Sequence, residues 1–142
     1  YYIGDGDEIE PGPIVNAINE VVNIVAYRGW ADARGTHYPQ FYRENLHQLD
    51  NGPLLPVFTM FVCNVGDFGN ENQNPCFGGY SISRGTRRSP AAALAFYGPS
   101  DLHTSTRYNN PNLAGYYTGL LNENMRTLGV LGLRGKMEIR IP

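Results

Sequence analysis

Cys63 closes the most hydrophobic short run of the chain, Val57-Phe58-Thr59-Met60-Phe61-Val62-Cys63, and a glycine-rich stretch, Asn64-Val65-Gly66-Asp67-Phe68-Gly69, follows at once. A sulfur nucleophile needs such an address: a rigid strand fixes its backbone, and a turn opens the thiol to a substrate. Most thiols are only a few per cent thiolate at neutral pH, so covalent chemistry also needs a neighbouring base. Three imidazoles could serve. His37 lies in the polar loop Arg34-Gly35-Thr36-His37-Tyr38-Pro39, and His103 follows a third apolar run in Ser100-Asp101-Leu102-His103. His47 falls on a predicted helix and is expected to face solvent. A lone histidine is more often structural than catalytic, so both readings stand for each.

The elements that would position these groups follow from pattern. The Cys63 run is too short for a buried helix and rich in β-branched and aromatic residues, which predicts a buried strand. Val21–Tyr27 and Ala91–Tyr97 read the same way. Pro13 opens a short helix to Glu20, in keeping with proline at a first helical turn. Phe41, Asn45 and Leu49 predict a helix over 40–49, ended by Asn51-Gly52-Pro53. A short helix is expected over 77–84, and Leu113, Tyr116, Tyr117, Leu120, Leu121 and Met125 predict another from about Asn112 to Leu128. Lys136–Ile141 fits either a last strand or a helix start. Strands alternating with helices indicate a mainly parallel α/β sheet. Right-handed crossovers then gather the loops after all three strands at one sheet edge, bringing together Trp30, Cys63 and the Ser100–His103 loop.

Composition narrows the classes of partner. The net charge of −2 supplies no basic surplus for nucleic acid. No apolar stretch approaches the roughly 18 residues of a membrane helix, so no membrane span is expected. The acidic opening, with Asp5, Asp7, Glu8 and Glu10, lacks the further oxygen ligands and closing Glu of a calcium loop and reads as a solvated lead-in. Cys63 and Cys76 sit in no zinc-type cluster, and neither a metal nor a cofactor is expected. A bridge between the two is sterically open, with a small buried residue the plainer reading of Cys76. Asp67 is expected to be a turn carboxylate bonded to nearby backbone. Arg84, Arg87 and Arg88 read as a solvated loop. Trp30 and Tyr97 fit a substrate-pocket wall and a core role equally well.

The ordered set Asn23-Ile24-Val25-Ala26-Tyr27-Arg28-Gly29, then Leu55-Pro56-Val57 through Cys63-Asn64-Val65-Gly66-Asp67-Phe68, resembles the gingipain family of cysteine peptidases (peptidase family C25). Ala91–Gly98 is similar to the strand closing that family's specificity pocket, and Thr127-Leu128-Gly129 to its C-terminal helical region. The resemblance spans residues 12–136. It implies a caspase-like α/β fold, a mainly parallel sheet flanked by helices, with residues 1–142 forming the C-terminal part of one peptidase domain whose first strands lie outside this chain. It implies Cys63 as nucleophile, forming a thioester with a peptide carbonyl, and backbone N–H groups of Cys63 and Ala31 as the oxyanion hole. The family's Gly-His-Gly base motif maps to Gly29-Trp30-Ala31, where an indole, which cannot accept a proton, replaces the imidazole. His37 or His103 would then have to act as base.

Three functions fit that resemblance: a cysteine endopeptidase, an inactive pseudopeptidase kept as a binding or structural module, and a sortase-like transpeptidase of type IX secretion. A secreted or surface-attached location, a protein or peptide substrate with Trp30, Tyr97 and Ser100 lining its pocket, and attachment to the remainder of a larger polypeptide are implied by kinship alone.

Overall fold

The structure, a computed structural model, describes residues 10–139, which fall into two compact units that divide after Leu102. The acidic lead-in through Ile9 and the segment beyond Ile139 lie outside the described residues.

The first unit is built on three parallel strands, β1 (Ile24–Tyr27), β5 (Val57–Met60) and β6 (Ala95–Tyr97), in the order β1-β5-β6. β5 is central, and Phe58, Thr59 and Met60 are buried. A strand covered on both faces must be apolar almost throughout, which is why this run shows no alternation. The register sets Ile24 opposite Val57, Tyr27 opposite Met60 and Thr59 opposite Tyr97. Helix α1 (Gly12–Asn19) buries Val15 and Ile18, and helix α2 (Phe77–Ser83) buries Phe77 and Ser81. Phe77 is the hub of the core. Its ring stacks on Phe58 at 6.2 Å and meets Phe41 and Phe96 edge-on at 5.8 and 6.3 Å.

Between β1 and β5 lies a second sheet that the sequence pattern conceals. β2 (Ala31–Asp32), β3 (Gly35–His37) and β4 (Gln40–Tyr42) pair antiparallel, with Thr36 opposite both Ala31 and Phe41. The expected polar loop over 31–39 and helix over 40–49 are therefore corrected. Phe41 and Leu49 do share a buried side, but the backbone reaches it as a strand followed by a 3-10 turn, Arg43–Gln48. The switch is local: Asn45 Oδ1 accepts the Tyr42 N–H at 2.7 Å, ending the strand and starting the helical turn. Gly35, at φ +145°, cannot be replaced, because a Cβ there would strike the Phe41 carbonyl oxygen and the Tyr42 Cα.

The expected strands are trimmed: β1 starts at Ile24, β5 ends at Met60 and β6 starts at Ala95. Ala91–Ala93 are buried but unpaired as strand. Ala92, at φ +72°, is held by Asn51, whose Oδ1 accepts its N–H at 2.8 Å and whose Nδ2 donates to its carbonyl at 3.0 Å. Along β1 and α1 an open apolar groove of about 650 Å³ is lined by Ile14, Ala17, Val22, Ile24, Ala26 and neighbouring side chains.

The second unit is a helix pair, α3 (Thr106–Leu121) and α4 (Leu128–Glu138). α3 begins earlier than its apolar spacing predicts, because the Ser105 side chain caps the Arg107 N–H. Residues 136–138 are the end of α4, so the last strand or helix start expected there is corrected to a helix that begins at Leu128; residues 140 and 141 lie outside the described residues. Gly115 and Gly119 let the helices approach closely; a Cβ at Gly115 would come within 2.9 Å of the Arg134 carbonyl. Arg134 bonds Glu138 within α4 at 2.7 Å and Glu123, just past the end of α3, at 2.9 Å.

Phe77→Ala is expected to lower unfolding stability by about 3–5 kcal/mol, since it removes the ring shared by three others. Urea denaturation followed by circular dichroism measures it.

Candidate active site

Parallel strands deliver their carboxyl ends to one edge, and three loops meet there. The β1–β5 ladder continues one residue past β5, the Phe61 N–H donating to the Tyr27 carbonyl at 2.9 Å. Phe61 and Val62 remain buried, and Phe61 packs its ring on Tyr97 at 5.7 Å. Cys63 is the first half-buried residue after them; Cys76 is buried at the head of α2, and neither is in a disulfide, so the bridge that the sequence left open does not form. The Cys63 sulfur thus stands just outside the core.

The chain then turns sharply. Asn64 takes φ +57°, its N–H donates to the Asp101 carbonyl at 3.0 Å, and the Gly66 N–H donates to Pro99 at 2.8 Å. Asp67 lies in this turn, with its carboxylate bonded to a side-chain amide where backbone N–H partners were expected. Its Oδ2 accepts the Asn70 side-chain amide at 2.9 Å. Of the predicted pocket residues, Tyr97 is half-buried, Ser100 is exposed, and Trp30 is 74% exposed at the end of β1.

The loop after β1 is pinned by a phenol that sequence reasoning missed. Tyr27 Oη lies 2.9 Å from the Tyr38 carbonyl and 3.1 Å from the Trp30 carbonyl. Burial pushes its pKa up, outweighing the nearby Arg28 charge, so it stays a donor throughout the physiological range. Gly29 must be glycine because the Tyr27 ring occupies its Cβ space. The Trp30 carbonyl also accepts the His37 N–H at 2.9 Å, and Ala31, the second oxyanion candidate, is buried in β2.

His37 is held in the small sheet by both ring nitrogens. Nε2 lies 3.4 Å from Asp32 Oδ2 and Nδ1 lies 3.2 Å from the Tyr42 hydroxyl. Arg34 covers the Tyr42 ring at 4.3 Å and pairs with Glu44 at 3.1 Å. The carboxylate and phenol flanking His37 sit on the strands either side of it, a juxtaposition invisible until the hairpin is known. His47 is exposed, as expected, with Nε2 2.9 Å from the Tyr80 hydroxyl. His103 opens the second unit. Among the described residues no cluster of His, Cys, Asp or Glu could hold a metal, and no helix is long and apolar enough to cross a membrane.

A mainly parallel sheet flanked by helices, with a half-buried cysteine just past its central strand, fits a caspase-like fold. Residues 7–141 match the profile of Peptidase family C25, and the chain belongs to that family. Its fold superposes on the Arg-specific cysteine proteinase gingipain R with a TM-score of 0.85 over 94% of this chain at 20% identity. It superposes on the Porphyromonas gingivalis RgpB pro- and mature-domain complex with a TM-score of 0.82 over 94% of this chain at 19% identity. The chain spans 31% and 32% of those two, about a third of their length. No curated protein matches it by sequence.

Tyr27→Phe is expected to cost about 1–2 kcal/mol, the usual penalty for unpaired carbonyl acceptors. It should also speed limited proteolysis between residues 28 and 39, read by mass spectrometry.

Proposed function

We propose that this chain is the C-terminal part of a cysteine endopeptidase domain in which Cys63 is the nucleophile. The observation that carries the reading is the position of its half-buried sulfur, one residue outside the core at the end of the central parallel strand. The Cys63 thiolate would add to a peptide carbonyl, with the oxyanion held by the backbone N–H groups of Cys63 and Ala31. Collapse of that adduct expels the amine, which takes the proton from the imidazole, and leaves a thioester. Water, deprotonated by the same base, then releases the acid and restores the thiol.

His37 is the base we favour over His103, because Asp32 on Nε2 can fix its ring and stabilise its charged form, as a third group does in nucleophile–base pairs. The Nδ1 contact with Tyr42 would have to open during turnover. Trp30, Tyr97 and Ser100 would line the substrate side. The apolar groove beside β1 supports a further reading, that the remainder of a larger polypeptide covers this flank. Secretion or surface attachment is proposed on family membership alone.

A second reading has its own observation. Both His37 nitrogens are already engaged within the hairpin, and the family resemblance maps Trp30 to the position of the motif's base. On that reading the fold is an inactive module for binding or scaffolding.

A peptide-based electrophile directed at thiols should label Cys63 in the complete protein and fail to label Cys63→Ala. His37→Ala should slow labelling by roughly 10²-fold or more, the usual range for losing a general base. Absence of labelling in the unaltered protein, with activity appearing in Trp30→His, would establish the inactive module instead.

A further inference from the structure

The turn that follows Cys63 is fastened to the loop after β6 by one residue whose side chain and main chain act together. Asn64 is only 7% exposed although it lies in a surface turn, and its backbone occupies the left-handed region that asparagine tolerates better than most side chains. Its N–H donates to the Asp101 carbonyl at 3.0 Å. With its amide nitrogen turned to the acceptors, the side chain donates to the Ser100 carbonyl at 3.0 Å and to Asp67 Oδ2 at 3.2 Å. The second of these joins Asn64 to the carboxylate that also receives the Asn70 amide. Two residues on, Gly66 repeats the attachment through Pro99 in a crowded position, where a Cβ would lie 3.0 Å from the Gly98 carbonyl.

The backbone on one side of Cys63 is fixed by the buried Phe61-Val62 pair. On the other side the next anchor in the core is Val65, fully buried and with its carbonyl accepting the Gly78 N–H at 2.8 Å, and between it and Cys63 the chain is directed by the polar contacts of Asn64 to residues 100 and 101. An error of about 1 Å in the placement of a nucleophile can lower its rate of attack by around two orders of magnitude. We propose that Asn64 is a positioning residue for Cys63, setting the direction of the thiol by bridging the turn after β5 to the Ser100-Asp101 carbonyls and to Asp67. This rests on Cys63 as the reactive thiol, and Asn64 itself touches no reacting atom.

The test compares the protein with Asn64→Gly, which keeps the left-handed turn and deletes the amide, and with Asn64→Asp, which keeps the shape and cannot donate. Iodoacetamide alkylation is followed at Cys63 and Cys76 separately by peptide mass spectrometry, alongside labelling by the peptide-based electrophile. In both variants the Cys63 alkylation rate should shift by about threefold or more while that of buried Cys76 stays unchanged, since access and thiolate character set such rates. Peptide-directed labelling should fall by about tenfold or more. A Cys63 rate equal to that of the unaltered protein overturns the proposal. Equal acceleration at both cysteines overturns it too, because general loosening would explain both. If the peptide reagent ignores the unaltered protein, the peptidase reading fails, and the ratio of the two alkylation rates still decides the role of Asn64.

Discussion

Everything at the candidate site depends on the burial of β5 between β1 and β6. A central parallel strand has neighbours on both edges and side chains covered on both faces, so its position is overdetermined by backbone pairing and by packing of Phe58 against Phe77. The rigidity extends through Phe61 and Val62, which are as buried as the strand itself. Cys63 is where it stops. The carboxyl end of such a strand is also where the sheet leaves an open crevice, because the chain must leave the sheet there to begin its crossover. A fixed backbone and an open sulfur therefore arise from one structural fact.

Around that strand the polar groups are organised by carbonyls rather than by charge. Tyr27 gathers the Trp30 and Tyr38 carbonyls, Asn51 holds both polar groups of Ala92, and Asn64 gathers those of Ser100 and Asp101. Each is a short-range device placed where the chain leaves regular pairing. Loops that must stay near the core cannot leave backbone groups unpaired, and amide or phenol side chains answer that need without burying a charge. Ion pairs appear at the exposed margins, as in Arg34–Glu44, where they contribute little to stability.

Much of this was legible in the order of residues. The apolar run to Cys63 and the turn after it identified a buried strand, and Gly29 and Gly66 marked the punctuations. The family likeness rested on that ordered set, and the fold agrees with it. The hairpin of β2 to β4 escaped notice because its strands are two or three residues long, too short for an alternating pattern to register. Phe41, Asn45 and Leu49 then imitated a helical face, although Asn45 serves as the stop signal between strand and 3-10 turn. Asn64 escaped for a different reason: an asparagine in a glycine-rich loop is ordinary, and its value lies in the Ser100 and Asp101 carbonyls, far outside any local pattern.

By itself the sequence determined the parallel α/β class, the strand that leads to Cys63 and the kinship with the C25 peptidases, because these rest on hydrophobicity and local turn chemistry. Only the tertiary structure decided the partners. It placed Asp32 and Tyr42 on either side of His37, Trp30 in solvent, and the Ser100-Asp101 carbonyls over Asn64. Hydrogen bonds act over about 3 Å and depend on direction, so they exist only once strands distant in the chain have been brought into register.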